Sequence, residues 1–218
     1  MGIENIILLV LSVFMAMLSI YVLLRNSKHL INISFFFMTI GAALWISSNA
    51  LDYIYFSEFL TRITYVGAII MVVGFYYFSW YFPYQIQLMK KTHHVVIVVL
   101  TLILIIMSLY GGLIIKDVIN QHKELIYGPI FPIYNIVFLL LWIMGLIISV
   151  RKYKKSDGLH RWQLKNMIWV LFLAFIAGIT TNLVLPWVFN VWNYGWVGPL
   201  FTMIFFAGAT YILFKKNI

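Results

Sequence analysis

The sequence predicts an all-α, polytopic membrane protein: a seven-transmembrane helix bundle with its N-terminus outside and its C-terminus in the cytoplasm. The first reason is composition, because 64% of its 218 residues are hydrophobic and 10% are charged, whereas a soluble domain has roughly a quarter charged residues. The second is the recurrence of apolar runs of about 20 residues, which as helices cross ~30 Å of hydrocarbon. The third is an alternation of basic and non-basic loops between those runs.

Seven apolar runs occupy nearly the whole chain. Because backbone groups in lipid must hydrogen-bond within their own segment, each run should form a helix. We therefore predict a single transmembrane domain over residues 1–218. In chain order, the predicted spans lie near residues 3–24, 30–50, 60–82, 95–114, 130–150, 166–185 and 196–214.

The loops after the first four spans alternate in charge. Arg25 and Lys28 follow the first span, and the acidic segment 52–58 follows the second. Lys90-Lys91 follow the third span, whereas the segment 116–124 after the fourth mixes both signs. Cytoplasmic loops carry an excess of Lys and Arg, so the first and third loops should be cytoplasmic.

The last three spans continue this alternation. The segment 151–165 after the fifth span holds six basic residues, the turn 187–194 is uncharged, and Lys215-Lys216 follow the seventh span. Twelve of the fifteen Lys and Arg residues fall on the predicted cytoplasmic side. The net charge of +9 therefore reflects topology in an inner (plasma) membrane and not nucleic-acid binding. Pro186 and Pro199 are expected to end or reset the last helices, with a kink at Pro199.

Chemically reactive residues are scarce in the predicted spans. No carboxylate lies mid-span, which argues against a proton- or sodium-coupled pump, and no lysine lies in the seventh span to carry a retinal Schiff base. The chain has no cysteine and no phosphate-binding glycine loop. His93 and His94 should point apart on a helix and be solvated beside Lys90-Lys91. We predict no enzyme activity, catalytic residue, metal site, cofactor or nucleic-acid partner.

A ligand-binding pocket is predicted at the outer boundary, where polar and aromatic residues of several spans gather. Arg62 is its most suggestive member, because ionisable residues in a membrane protein's spans are functional candidates. The alternative is an ion pair with Glu58, on the same helix face, or with Asp52, that anchors the helix end. For the asparagines and aromatics the alternatives are interhelical hydrogen bonds and an interfacial anchor belt. The candidate ligand-binding residues are Asn49, Tyr53, Arg62, Tyr65, Tyr134, Asn135, Asn182, Trp187, Trp192 and Trp196.

Several short motifs follow one another along the chain in a defined order. They are Arg25 at the end of span one, Phe36 to Trp45 in span two, Arg62-Ile-Thr-Tyr65-Val-Gly67, Arg161-Trp-Gln163-Leu-Lys165, Asn182-x-x-x-Pro186 and Gly198-Pro199-Leu. Together they resemble the N-terminal seven-transmembrane sensor region of bacterial histidine kinases. In that family the last helix continues into a cytoplasmic linker and a dimerising kinase core. The resemblance implies a cytoplasmic signalling domain or partner and a homodimer. Since neither a phospho-acceptor helix nor an ATP-binding domain precedes Ile218, we expect no kinase activity from these residues.

The predicted function is a sensory receptor module embedded in the lipid bilayer. An extracellular or lipophilic small molecule would bind the outer pocket, shift the last two spans and move the cytoplasmic end, which requires unequal binding to two conformations. The alternative is a small facilitative transporter with a 3+1+3 arrangement of spans, although the Pro-Gln dipeptides typical of such facilitators are absent. A third interpretation is a scaffold whose basic segment 151–165 binds anionic lipid.

Overall fold

The computed structural model describes residues 2–85, 89–119, 124–189, 191, 194 and 196–214. In these residues the chain forms helices and one antiparallel β-hairpin. In chain order the elements are α1 (Ile3–Arg25), α2 (Leu30–Tyr55), α3 (Glu58–Tyr81), α4 (Lys91–Leu109), β1 (Ile115–Ile119), β2 (Glu124–Tyr127), α5 (Phe131–Lys155), α6 (Gly158–Ile179), a π-helical turn (Thr180–Val184), α7 (Leu185–Phe189) and α8 (Val197–Phe214).

Seven of the helices, α1 to α6 and α8, follow the predicted spans in order. Within the described residues, the six helices α1 to α6 are long and apolar enough to cross a membrane, and α8 is a shorter apolar helix. Several helices run past the predicted boundaries, because helical hydrogen bonding does not stop where the apolar run ends. Helix α6 begins at Gly158, well before residue 166. Helix α4 ends earlier than predicted, at Leu109, shortly before Gly112 with its left-handed φ of 84°, a backbone conformation that favours glycine.

The chain divides into two compact units, residues 1–145 and 146–218. The first unit is built on the close approach of α2 and α3. A Cβ added at Gly41 would lie 2.9 Å from the carbonyl oxygen of Gly67, and one added at Gly67 would lie 2.9 Å from the carbonyl oxygen of Gly41. A side chain at either position would therefore overlap the facing backbone, and glycine is what lets the two helices touch.

Aromatic side chains fill the core of the first unit. Phe35 of α2 meets Phe78 of α3 edge-on, with ring centroids 5.8 Å apart. Phe75, one turn earlier on α3, packs against Trp142 of α5 with centroids 4.2 Å apart. All four rings are buried. The core thus joins α2, α3 and the first part of α5.

The second unit is organised by packing between α6 and α8. Leu164, Met167 and Leu171 recur at helical spacing on α6 and are buried, as are Phe205 and Ala209 on α8. One apolar stripe on each helix therefore faces the unit's interior.

The two prolines of the second unit occupy different positions in their helices. The backbone continues in helical conformation from α6 through the π-helical turn into α7, so Pro186 lies within a helix and does not end one. Pro199 is the third residue of α8. In the first turn of a helix the missing N–H has no carbonyl to bond and the fixed φ is favourable. Pro199 therefore lies in the first turn of a new helix, as expected of a proline that resets a helix, and the kink stays a prediction.

Candidate functional site

The α2–α3 turn positions the first group of candidate residues. Asp52 is buried, and its carboxylate accepts a hydrogen bond from the Ser57 backbone N–H at 2.9 Å and from the Thr61 hydroxyl at 2.6 Å. Phe56 closes α2 in the left-handed region, with φ of 47°. Because Asp52 of α2 bonds both the residue before α3 and a residue in the first turn of α3, it fixes where α3 begins.

Arg62 lies one turn into α3 and faces the loop after α4. Its Nη2 donates to Glu58 Oε2 at 2.6 Å, and the arginine side chain is 19% exposed against 47% for the glutamate. A Cβ added at Gly111 would lie 3.3 Å from Arg62 Nη2, so the absence of a side chain there leaves room for the guanidinium. The ion pair with Glu58, the alternative considered for this residue, is present.

The Nε–H of Arg62 is buried and has no hydrogen-bond partner among the described residues. A buried donor left unpaired costs about 1–3 kcal/mol. A guanidinium has five N–H donors in a planar fork, and the Glu58 contact uses one of them. Arg62 therefore retains capacity for a further anionic or carbonyl acceptor.

Tyr134 of α5 contacts α3, the helix that carries Arg62. Its hydroxyl donates to the backbone carbonyl oxygen of Tyr65 at 2.7 Å, and the two rings meet edge-on with centroids 5.5 Å apart. Tyr65 also meets Phe131 edge-on at 6.2 Å. The structure thus brings two of the predicted site residues, Tyr65 and Tyr134, into direct contact. The hydroxyl of the buried Tyr134 is used in a hydrogen bond between α5 and α3.

A β-hairpin covers the same end of the first unit. Strands β1 and β2 pair antiparallel, with Ile115 opposite Tyr127 and an irregularity between Ile115 and Asp117, and β1 contacts α3. The Tyr127 ring stacks on Phe131 with centroids 3.7 Å apart. Burial raises the pKa of Tyr127 to about 12, so its hydroxyl keeps its proton at physiological pH. We call this region, residues 49–65 and the described part of 110–135, the hairpin end.

Sequence reasoning missed the hairpin and treated it as a charged loop. The signal was nonetheless present, because Ile115, Val118 and Ile119 on one side and Ile126 and Tyr127 on the other are β-branched or aromatic. Such runs around a polar centre are typical of hairpins.

The other candidate residues differ in their burial and contacts, and some lie outside the described residues. Asn49 and Tyr53 are half-buried on α2. Asn135 donates its amide to the Phe131 carbonyl of its own helix at 3.1 Å. Trp196 is exposed directly before α8. Trp192 and the side chains of Asn182 and Trp187 lie outside the described residues.

The adjacent histidines at the opposite end of the first unit both contact α3. The His93 Nε2 lies 3.1 Å from the Tyr76 hydroxyl, and the His94 Nδ1 lies 3.4 Å from the Tyr77 hydroxyl. The rings of His94 and Tyr77 stack, with centroids 5.5 Å apart. Both histidines are half-buried, so each keeps some contact with its surroundings while two neighbouring tyrosines on α3 offer one partner to each.

Comparison with known families gives one finding over most of the chain. A model of the family described as the N-terminal 7TM region of histidine kinase matches residues 7–214. Neither the curated proteins nor the solved structures include a match to this chain.

Proposed function

Because residues 7–214 match it, the chain belongs to the family of N-terminal seven-transmembrane regions of histidine kinases, and we propose that it senses a ligand bound at the hairpin end. The match confirms the resemblance and the seven-transmembrane class predicted from the sequence. The matched family is the sensor region and not the catalytic kinase core. Ligand binding and transmission through α8 to a cytoplasmic signalling domain or partner are the parts we propose.

The proposed orientation follows from charge. Acids outnumber bases at the hairpin end, where Asp52, Glu58, Asp117 and Glu124 accompany Arg62 and Lys116 in the described residues. The opposite end of the first unit carries Arg25, Lys28 and Lys90-Lys91. The positive-inside rule then favours a hairpin end outside the cell and a C-terminus in the cytoplasm of a bacterial inner membrane. A reporter fused after Ile218 should be active on the cytoplasmic side. Activity of a periplasmic reporter at the same position would contradict the charge argument.

The observation that supports ligand binding is the state of Arg62. Among the described residues this cation, four-fifths buried, has one carboxylate partner and a buried Nε–H without an acceptor. It can therefore gain hydrogen bonds from an incoming anion. Hydrogen bonds between a guanidinium and a carboxylate are charge-assisted and directional. We therefore propose a ligand with an acidic group, which reaches Arg62 beside Gly111 and competes with Glu58.

Contacts next to Arg62 indicate that α3 and α5 would respond to a bound ligand. Arg62 and Tyr65 lie on consecutive turns of α3, and Tyr65 is bonded to Tyr134 of α5. A ligand that draws the Arg62 side chain away from Glu58 acts directly on α3 and, through the tyrosine pair, on α5. It shifts the helices only if it binds the two arrangements unequally.

Thermal unfolding of the purified chain in lipid nanodiscs tests the proposal. The probes are decanoate and octanoate, each paired with its neutral amide. We expect the acids to raise the unfolding temperature, since binding at ten times Kd stabilises by about 1.4 kcal/mol. The neutral amides should have little effect.

Two variants make the test specific. Arg62→Ala should abolish the shift produced by the acids, while Lys116→Ala, which removes an exposed charge of the same hairpin end, should keep it. Equal shifts from acids and amides, or an acid shift retained in Arg62→Ala, would count against the site. Uptake of a labelled solute into vesicles that contain this chain alone would favour the transporter alternative instead.

A further inference from the structure

A buried amide joins the start of α6 to the last described turn of α8. Gln163 is 7% exposed, and its Nε2 donates to the backbone carbonyl oxygen of Ile212 at 3.2 Å. Ile212 itself is 3% exposed. The bond therefore lies inside the second unit, where water cannot readily replace a lost partner.

The orientation of this amide is fixed at both ends. A carbonyl oxygen only accepts, so the NH₂ group of Gln163 must face Ile212 and its Oε1 must face the other way. There Oε1 lies 3.2 Å from the Nδ1 of His160, which must then carry the hydrogen and donate it. His160 thus orients Gln163 for its bond to α8.

Apolar side chains of both helices are buried near this bond. Leu164 and Met167 on α6, and Phe206 and Ala209 on α8, are all buried. Apolar packing stabilises the pair but has no preferred donor–acceptor geometry, so it depends less sharply on a small shift of α8. A hydrogen bond weakens steeply with distance and angle. Helix shifts in signalling proteins are about 1–2 Å, which a bond already 3.2 Å long does not tolerate.

We infer that Gln163 is a positioning residue that fixes the axial register of α8 against α6, and that α8 moves in signalling only when this bond breaks. The inference rests on the proposed sensory function, since it names the contact through which α8 is held. The position of α8 would then depend on a residue at the start of α6 that has no predicted part in ligand binding.

Hydrogen–deuterium exchange of the whole chain in nanodiscs tests the role of Gln163. Gln163→Leu removes both bonds. Gln163→Glu, measured at a pH at which its carboxyl is ionised, keeps the size and the acceptor for His160 but loses the donor to Ile212. In both variants we expect exchange in the last described turn of α8 to be about 5- to 100-fold faster, as for loss of one buried hydrogen bond. Exchange in residues 198–205 should not change.

Asn166→Leu is the matched control. Asn166 also carries an amide on α6, but its Nδ2 donates to the Trp162 carbonyl of the same helix at 2.7 Å. We expect its removal to leave exchange in α8 as in the unaltered chain. Uniformly faster exchange throughout α6 and α8, or an unchanged last turn in Gln163→Glu, would overturn the positioning role. The Glu variant keeps the test decisive if the Leu variant fails to fold.

Adding decanoate separates this inference from the proposed function. If decanoate raises the unfolding temperature yet leaves exchange in the last turn of α8 unchanged, the sensory site stands and the role of Gln163 in signalling falls. If the Gln163 variants act locally as expected but no acid binds, the positioning role stands and the ligand proposal falls.

Discussion

Replacement of Gly41 by alanine tests the close contact between α2 and α3. The new Cβ would lie 2.9 Å from the carbonyl oxygen of Gly67 and would also overlap the backbone N of Met71. Ordinary contact between such atoms begins near 3.4 Å, so the two backbones must separate by at least about 0.5 Å. Neither can yield like a flexible side chain, and overpacking of this kind costs about 1–3 kcal/mol.

Gly178→Ala provides a matched control with the opposite expected sign. A Cβ at Gly178 of α6 would meet no heavy atom within 4 Å among the described residues. Alanine is favoured over glycine within a helix by roughly 0.5–1 kcal/mol, so this variant should be as stable as the unaltered chain or more stable.

Equilibrium unfolding in mixed detergent micelles, followed by circular dichroism, measures both variants. We expect Gly41→Ala to unfold at lower denaturing-detergent content and Gly178→Ala at the same or higher content. If Gly41→Ala is neutral, the backbones are not in contact and the packing argument is refuted. Equal destabilisation by both variants would show that the effect is not specific to the α2–α3 contact.

Two further substitutions probe the hairpin end. Tyr134→Phe removes the 2.7 Å bond to the Tyr65 carbonyl and should lower the free energy of unfolding by about 0.6–1.7 kcal/mol, as measured in the same micelles; a larger loss would mean that the ring contacts had also changed. Asp52→Asn keeps the shape but leaves one acceptor for Ser57 and Thr61, which each bond the carboxylate. A loss of about 1–3 kcal/mol is expected, whereas unchanged stability would show that the carboxylate does not hold the turn.

The sequence predicted the helices because a long apolar run has few alternatives in a membrane. It did not predict the hairpin from Ile115 to Tyr127. The lysine and acidic residues in this segment interrupt the β-branched residues, and their charges are equally typical of a loop between two spans. The pairing of Tyr134 with Tyr65 could not be predicted either. These residues are 69 positions apart. An apolar pattern predicts that each span is a helix but does not indicate which helices become neighbours.

The candidate site was predicted in part. The sequence placed Glu58 and Arg62 on one face, and the structure confirms their ion pair. It could not show that Gly111 leaves space for the guanidinium, because that contact depends on the loop after α4 folding back onto α3. The sequence also could not show that the Tyr134 hydroxyl bonds a neighbouring helix and does not line an open pocket, because this depends on how α5 packs against α3.

Hydrogen bonds that cross between helices, among the described residues, indicate where a signal can act. Many polar side chains in the spans bond a carbonyl of their own helix, as Thr39 does to Phe35 and Ser108 to Leu104. These bonds move with the helix and do not resist its displacement. A bond such as that from Gln163 to Ile212 does resist it.

Such crossing bonds therefore set the register of one helix against the next, while apolar contacts supply most of the stability. A ligand at Arg62 would act beside one of them, the Tyr134 bond to Tyr65, and α8 is held by another. The measurable consequence is that single substitutions at the crossing bonds should change helix exchange locally, whereas substitutions at bonds within one helix should not.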